Sequence, residues 1–338
     1  MVKRRRIALV GAGHISKKHI SAINTLESKL DHVAICENNL EISSQLSLSK
    51  DVALFHDYTE MINNCDIDIV SLCTPSGLHP EQTVQAANKK INVITEKPMA
   101  INLKDAKKMI QACENNNVKL FIVKQNRFNP AIQLLKKSVD LKRFGNIILS
   151  SLNVFWTRPQ EYYDSADWRG TRKFDGGALM NQASHYVDLL EWMIGPVESI
   201  NASIATIARD IEAEDTSIIN LRLGKNSLGS IAMTVLTYPK NLEGSITILG
   251  EKGTVKIGGQ YMDKIIYCDI KDYVLPDIDL DIKCNDYGDY QGSASNHDKM
   301  IDHVSKTLLG LTKEQKTLDF SDGIGVVNII ERIYSLRN

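Results

Sequence analysis

No stretch of this chain approaches the ~18 consecutive apolar residues that a membrane-spanning helix needs, which argues against a helical membrane protein. An excess of either charge is missing as well. Forty Lys and Arg face 41 Asp and Glu, and a net charge of −1 gives no electrostatic reason to expect nucleic acid or a membrane surface as partner. Cysteine pairs are absent: Cys36, Cys65, Cys73, Cys113, Cys268 and Cys284 are scattered, with no C-x-x-C and no metal-ligand spacing. Several sit in apolar runs, where a free thiol behaves as a small hydrophobe. A reduced protein with no bound metal is the simplest account. The N-terminus is basic at Lys3–Arg6, but the apolar run behind it, Ile7–Val10, is too short for a signal peptide, so a cytoplasmic location is expected. There is no internal repeat and no low-complexity segment. With 43% hydrophobic and 24% charged residues over 338 positions, the composition is that of an ordinary globular protein long enough for two domains.

The first third alternates strand and helix. Arg6–Val10 reads as a buried strand, followed at once by Gly11-Ala12-Gly13-His14-Ile15-Ser16 and a helical pattern through Leu26. This is the strand, glycine turn and helix start of a dinucleotide-binding crossover. Gly11 permits the tight turn, and Gly13 lets the backbone approach a pyrophosphate on the helix N-terminus. The third small position is Ser16, a departure from the usual glycine or alanine. A second strand, Val33–Cys36, ends in Glu37, where a carboxylate binds ribose hydroxyls and repels a 2′-phosphate, favouring NAD over NADP. Strands over 52–55, 68–73, 92–95 and 119–123, with helices over 79–90 and 103–116 between them, predict a doubly wound, right-handed parallel sheet. Its ligand-binding edge would gather the glycine turn, Thr74-Pro75, Lys97 and Lys124-Gln125-Asn126.

Lys97 stands out within that set. In Val93-Ile94-Thr95-Glu96-Lys97-Pro98 a buried strand ends in a carboxylate, an ammonium and a proline. The proline restricts the backbone of the residue before it. An ordinary surface turn can have the same tripeptide, so the motif draws its weight from its place at the sheet edge.

Past Phe128 the pattern changes. After a helix at Pro130, strand-like runs appear over 147–156, 199–208, 217–223, 230–238, 245–249 and 254–257, with breaks such as Gly224-Lys225-Asn226-Ser227. These predict a large antiparallel sheet whose open face pairs with a second copy, giving a homodimer or homotetramer. Within this domain, Asp175-Gly176-Gly177 opens a helix on which Asn181, His185 and Asp188 fall at i, i+4 and i+7, on one face. A histidine beside a carboxylate can act as a base near neutral pH, or it can simply be structural. Upstream, Trp156-Thr157-Arg158-Pro159-Gln160-Glu161-Tyr162-Tyr163 and Trp168-Arg169-Gly170-Thr171-Arg172 interleave aromatics with arginines. In a chain without net positive charge such a cluster fits an anionic small molecule better than nucleic acid. Residues 271–295 are polar and rich in aspartate and tyrosine, with no firm reading. Asn296 is expected to cap the helix that follows.

With these residues laid out, the chain resembles the Gfo/Idh/MocA oxidoreductases, a family named after glucose–fructose oxidoreductase and inositol dehydrogenase. The likeness rests on Gly11–Ser16, Thr74-Pro75 with His79, Glu96-Lys97-Pro98, Trp168-Arg169, Gly176-Gly177 and His185 with Asp188. It implies an α/β Rossmann domain over 1–124 that binds NAD. An α+β domain with the antiparallel sheet would follow over 125–338, for substrate binding and oligomerisation. It also implies a cis bond before Pro98. Lys97 and His185 would be the catalytic pair at the nicotinamide. Cofactor contacts would come from Gly11, Gly13, His14, Ile15, Glu37, Thr74, Pro75, His79, Glu96, Lys97, Asn126, Trp168 and Arg169. Substrate contacts would come from Lys97, Arg127, Arg158, Tyr162, Arg172, Asn181 and His185. Family members often have an aspartate four residues before the histidine; here that position is Asn181, which leaves His185 as the base. Three segments, Lys124–Asn129, Trp156–Gln160 and Met180–His185, look like the branch that oxidises UDP-N-acetylglucosaminuronic acid at C3 and supplies a 3-keto sugar to an aminotransferase. Oxidation of another sugar or polyol, of the inositol type, is the alternative. A non-catalytic NAD-binding regulator is a third reading, and it has no need of Lys97 or His185.

Overall fold

The computed structural model describes residues 3–224, 226–276, 284–286, 291–311 and 320–337, except for the side chains of 284–286, 291 and 320–322. The chain divides into two compact units: Met1–Lys124 with Asn296–Ile324, and Gln125–Ser295 with Gly325–Asn338.

The first unit is a six-stranded sheet of β1 (Arg5–Val10), β2 (Leu30–Cys36), β3 (Ala53–Phe55), β4 (Ile69–Leu72), β5 (Asn92–Thr95) and β6 (Leu120–Ile122). The strand order is β3-β2-β1-β4-β5-β6 and every pair is parallel. Ile7–Val10 and Ile69–Leu72 are buried throughout, as expected of strands covered on both faces. The intervening helices are α1 (Ser16–Thr25), α2 (Leu40–Ser44), α3 (Tyr58–Asn64), α4 (His79–Asn88) and α5 (Leu103–Asn115). The α5 start is set locally: Asn102 Oδ1 accepts the Asp105 N–H at 2.8 Å, and Ala106, Met109 and Cys113 form the buried stripe. The order reverses between β1 and β4, so the glycine turn after β1 and the Thr74 turn after β4 flank the switch point where such sheets take their ligand.

One segment differs from expectation. Residues 296–324, assigned above to the second domain, group with the first unit. A helix at His297–Leu308, which becomes α9 in chain order, packs on α1. Its His297 is buried 5.4 Å (ring centroids) from His19, and Asp302 pairs with Lys29. Asn296 stands at the N-cap position but makes no side-chain cap bond. The Asp302 and His297 contacts join residues more than 270 positions apart, and no local pattern signals such pairing.

The second unit is built on a seven-stranded sheet: β7 (Ile147–Phe155), β8 (Val197–Ala205), β9 (Thr216–Leu223), β10 (Ser227–Thr234), β11 (Glu243–Gly250), β12 (Gly253–Gly258) and β13 (Lys264–Ile270), in the order β13-β12-β11-β7-β10-β9-β8. The hairpin expected around Gly224 is present, pairing Leu223 with Ser227; Lys225 itself lies outside the described residues. Two features correct the sequence reading. The sheet is mostly rather than wholly antiparallel, because β10 runs parallel to β7. The edge strand β13, unanticipated, extends the sheet by one. β8 also stops at Ala205, short of Ala208, because the Asp215 carboxylate takes the N–H groups of Ile207, Ala208 and Arg209 out of the ladder. A small separate hairpin pairs β14 (Cys284–Asp286) with β15 (Gln291–Ala294).

The helices of this unit are α6 (Pro130–Asp140), α7 (Gln160–Asp164), α8 (Ser184–Ile194) and α10 (Phe320–Tyr334), the last belonging here from Gly325 onward. A π-helical turn, Leu179–Ala183, leads into α8. On the sheet face away from the core, strand register aligns Leu149, Ser151 and Asn153 of β7 with Leu228, Ser230 and Ala232 of β10, and these with Arg222, Asn220 and Ile218 of β9. Ser151, Asn153, Ser230 and Asn220 are interspersed on this face with Leu149, Leu228, Ala232 and Ile218, of which Ile218 and Leu228 are half exposed. No helix among the described residues is long and apolar enough to cross a membrane.

Candidate active site

In the first unit the nucleotide end is built by backbone. Gly11 adopts φ +86°, which L side chains rarely take, and a Cβ there would stand 3.0 Å from the Cys73 carbonyl. Over Gly13 the space is open, since a Cβ would meet nothing within 4 Å. No side chain caps the start of α1, so its N-terminal end remains available to a phosphate. His14 is exposed and Ile15 half-buried at the same turn. Glu37, at the end of β2, accepts the Ala12 N–H at 2.6 Å and the Asn39 N–H at 2.8 Å. It therefore ties the glycine turn to β2, and its remaining lone pairs suit ribose hydroxyls. A diphosphate over open glycine backbone and a ribose at Glu37 are what NAD requires, so the residues present fit that cofactor.

At the neighbouring strand end, Thr74 Oγ1 donates to Gln82 Oε1 at 2.6 Å, and Thr74 and Pro75 are half-buried. His79, expected at the cofactor, is instead enclosed. Its Nδ1 lies 2.9 Å from the Pro98 carbonyl and its Nε2 2.9 Å from the Thr74 carbonyl. Burial holds its pKa below the ordinary value against the pull of those two carbonyls. The ring thus clamps the Thr74 turn to the Lys97–Pro98 segment, whose peptide bond is cis as expected.

Glu96 was also expected at the cofactor, and it too faces inward. Its Oε1 lies 2.9 Å from His19 Nε2 and 3.5 Å from His297 Nε2, and its Oε2 accepts the Lys97 N–H at 3.2 Å. His19 Nδ1 in turn meets Ser71 Oγ at 2.8 Å. Burial would push the Glu96 carboxyl up, but the bonds from the two imidazoles hold it well below the usual range. For His19, burial opposes the charge, while the Cys73 sulfur and Glu96 outweigh it and raise the pKa. His297 is lowered, chiefly by burial. The consistent state is a His19–Glu96 ion pair beside a neutral His297. The three donor atoms lie within 4.8 Å of one another, a set that could also hold a cation. Two ligands of one tetrahedral zinc, with bonds of about 2.0–2.1 Å, stand about 3.3 Å apart, so the 2.9 Å His19–Glu96 contact is a hydrogen bond. The buried cluster anchors the residue next to Lys97, which is itself half exposed.

In the second unit a 3₁₀ turn, Gln125–Phe128, buries three polar side chains in succession. Gln125 Nε2 lies 3.0 Å from both His185 Nε2 and Ser293 Oγ. Asn126 is 1% exposed, and neither atom of its amide has a partner among the described residues. Arg127, expected among the substrate contacts, is spent on Asp188: its Nε and Nη2 each donate to a carboxylate oxygen at 2.7 Å, and Trp192 stacks 4.6 Å from the guanidinium. At 2% exposure this fork is a structural pair. Asn181 Nδ2 donates to Asp175 and His185 faces Gln125, on a helix whose first turn, Leu179–Ala183, is π-helical. That turn is anchored from outside by Glu214, which accepts the Leu179 N–H at 2.7 Å and the Tyr334 hydroxyl at 2.8 Å.

The aromatic–arginine cluster is real but tightly self-packed. Arg158 is buried, donates to the Thr157 carbonyl at 2.7 Å, and lies 5.0 Å from the Trp156 ring and 5.3 Å from Tyr162. Arg169 stacks on Tyr162 at 4.1 Å and on Trp168 at 4.8 Å. Tyr162 accepts from Gln182 at 3.2 Å. Arg172 stands apart, its N–H on Glu212 Oε2 at 2.9 Å and its Nε on the Glu212 carbonyl. The open cavity beside Arg169 and Thr171 is lined by Asp164, Asp167, Asp210 and Glu212, a poor seat for an anion, and Arg172 is not among its lining residues. Gln125 was placed at the ligand-binding sheet edge only together with Lys124 and Asn126, without a role of its own, and Asp175, Glu214 and Ser293 were not singled out as site residues. Asp175 could have been, as the residue opening the glycine pair; Glu214 and Ser293 show no local signal.

A parallel sheet with a glycine turn at its switch point is the architecture of a dinucleotide-binding domain. The first unit matches the model of an oxidoreductase family with an NAD-binding Rossmann fold over residues 5–124, and the GFO/IDH/MocA C-terminal domain matches residues 132–256. The chain belongs to the GFO/IDH/MocA oxidoreductase family. It is 43% identical to the WlbA dehydrogenase of Bordetella pertussis, solved with NADH and UDP-GlcNAcA, covering 99% of this chain and 96% of that one with a TM-score of 0.89. The WlbA dehydrogenase of Chromobacterium violaceum, in complex with the same two ligands, is 42% identical over 98% of this chain and 93% of its own, with a TM-score of 0.90. Myo-inositol 2-dehydrogenase of Thermotoga maritima is 24% identical over 263 residues, 74% of each chain.

Proposed function

We propose that this protein oxidises a hydroxyl of a nucleotide sugar to a ketone with NAD, most specifically C3 of UDP-N-acetylglucosaminuronic acid, within surface-polysaccharide sugar biosynthesis. The observation that carries the reading is the 43% identity over 99% of the chain to a dehydrogenase crystallised with NADH and UDP-GlcNAcA. NAD supplies the hydride acceptor when bound. His185 takes the hydroxyl proton, and Lys97, its backbone held through Glu96 and cis-Pro98, offsets negative charge developing on that oxygen. Asn126, whose two buried amide atoms find no partner among the described residues, suits the carboxamide of the nicotinamide. Gly11, Gly13 and Glu37 hold pyrophosphate and ribose. Arg158, Tyr162 and Asn181 line the substrate side, and Trp168 and Arg169 reach the cofactor.

The first unit is then the NAD-binding domain. The second carries substrate contacts and, through the sheet face bearing Leu149, Ile218 and Leu228, pairs with a second copy as a homodimer or homotetramer. Sedimentation velocity tests that pairing, and a monomer at micromolar concentration rules it out. The five described cysteines are all free thiols, which accords with the reducing cytoplasm.

The deciding experiment follows NADH absorbance with a panel of UDP-sugars, free sugars and inositols. Turnover confined to UDP-N-acetylglucosaminuronic acid supports the proposal, and preference for myo-inositol or a free sugar replaces it with the polyol reading. Tight NAD binding without any turnover would favour a regulator.

A further inference from the structure

We propose that Arg209 is a further substrate-binding residue, whose guanidinium takes an oxyanion of the nucleotide sugar, either its diphosphate or a carboxylate on the sugar ring. This assignment rests on the nucleotide-sugar reading and adds a cation that the local sequence pattern does not single out.

Arg209 stands in a loop that a buried carboxylate holds in place of a strand ladder. Past Ala205, the fully buried Asp215 accepts the N–H groups of Ile207, Ala208 and Arg209 at 2.9, 2.8 and 3.0 Å. Gln160 then ties this loop to the segment after β7. Its Oε1 accepts the Asp210 N–H at 3.0 Å, and its Nε2 donates to the Asp210 carbonyl at 3.3 Å. Held side by side in this way, Arg209 Nε donates to the Arg158 carbonyl at 2.7 Å. Arg158 lies 5.3 Å from the Tyr162 ring, and the Tyr162 hydroxyl accepts from Gln182 in the π-turn that leads to His185. Arg209 therefore joins the aromatic–arginine cluster from 51 residues further along the chain.

Most of its hydrogen-bonding capacity is left over. A guanidinium has five N–H donors, and the bond to Arg158 uses one, so Nη1 and Nη2 keep four in a single plane. Among the described residues no carboxylate pairs with them. Asp215 is occupied by backbone N–H groups, and Asp210 lines the acidic cavity, where Arg209 is not a lining residue. Arg127 is the contrasting case, its fork filled by Asp188. Tying two loops together takes one N–H, and Gln160 already supplies two bonds for that purpose. A half-buried fork, fixed through Nε on a carbonyl, is instead suited to a bidentate grip on carboxylate or phosphate oxygens.

Calorimetric titration of the full chain with UDP-GlcNAcA, UDP-GlcNAc and UDP tests this. In Arg209→Gln, which removes charge and fork together, affinity for UDP-GlcNAcA should fall on the order of 10- to 100-fold. The melting temperature and the KM for NAD should stay near those of the wild type. Arg209→Lys, a charge without the fork, should fall between the two. Loss confined to UDP-GlcNAcA assigns Arg209 to the sugar carboxylate, and the same loss for all three ligands assigns it to the diphosphate. Unchanged affinity for all three, or a loss matched by a fall in melting temperature, would overturn the proposal. The wild type gives a second measurement that needs no variant. Phenylglyoxal should label Arg209 in the free protein, read by mass spectrometry, and UDP-GlcNAcA should protect it. Labelling that none of the three ligands reduces overturns the proposal as well. A wild type that binds none of them while turning over a free sugar or myo-inositol removes the nucleotide-sugar reading and Arg209 with it. If the wild type binds them and Arg209→Gln binds equally well, that reading stands and only the role of Arg209 falls.

Discussion

Arg127 and Asp188 meet fork to fork, two N–H···O contacts of 2.7 Å each, both side chains almost wholly buried. A guanidinium in this position is committed to its carboxylate, and truncating either partner strands a charge away from water. Arg127→Ala should lower unfolding free energy by about 3–5 kcal/mol, whereas Arg127→Met with Asp188→Leu should be close to neutral. Urea titrations of the three proteins check this; equal loss in the single and double variants would contradict it.

Glu214 is pushed up to about 7, first by burial, against the pull of the Leu179 N–H and the Tyr334 hydroxyl. A carboxyl raised in the folded state contributes stability in full below its unfolded value near 4.5 and loses it as pH rises through about 7. Glu214→Gln keeps both hydrogen bonds without the charge. Its melting temperature should therefore lack the decline that the wild type shows between those pH values.

Gly177 sits beside this carboxyl at φ +104°, and a Cβ would lie 2.4 Å from the Tyr334 hydroxyl and 2.7 Å from Glu214 Oε2. Gly177→Ala should cost about 1–3 kcal/mol from backbone strain alone, with the crowding added. Thermal unfolding reads the loss. Gly195→Ala is the comparison, since it shares a positive φ of +100° but meets no atom within 4 Å.

His19 carries its raised pKa, about 10 against an unfolded 6.5, inside the cluster that holds Glu96. Such a group stabilises fully below 6.5 and progressively less up to about 10, so the wild type should lose stability across that alkaline interval. His19→Gln should flatten this part of the stability–pH curve. An unchanged slope would show that the proton is held elsewhere.

Lys97→Met and His185→Asn separate field from proton transfer. His185→Asn should lower kcat by about 10²–10⁴-fold. Lys97→Met should lower kcat while leaving the NAD affinity, measured by fluorescence titration, near that of the wild type. Normal turnover by Lys97→Met with the true substrate would remove Lys97 from the chemistry.

Much of the scaffold was legible because its signals are local. Ile7–Val10 ahead of Gly11 and Gly13, the apolar strands ending at Leu72, Thr95 and Ile122, and the caps and stripes of the helices between them each occupy under 15 residues. The cis bond before Pro98 was expected from the resemblance, and the Glu37 position from its distance to the glycine turn. The alternating pattern of β9 and β10 likewise announced a sheet with one open face.

What the sequence alone determined is thus the class of fold, the cofactor and the two residues proposed for the chemistry, since these depend on short motifs with strong backbone requirements. Tertiary structure decided how the polar side chains are shared out. Arg127 and Glu96 looked like ligand contacts because an arginine and a glutamate stood near the right strand ends. Burial gave each an internal partner, Asp188 in one case and His19 with His297 in the other. The π-helical turn ahead of His185 is held by Glu214, a partner 35 residues further along the chain that no local pattern signals. The physical reason is common to all of these: a buried charge or amide must be satisfied, and its partner is found by packing, at sequence separations that periodicity cannot reach.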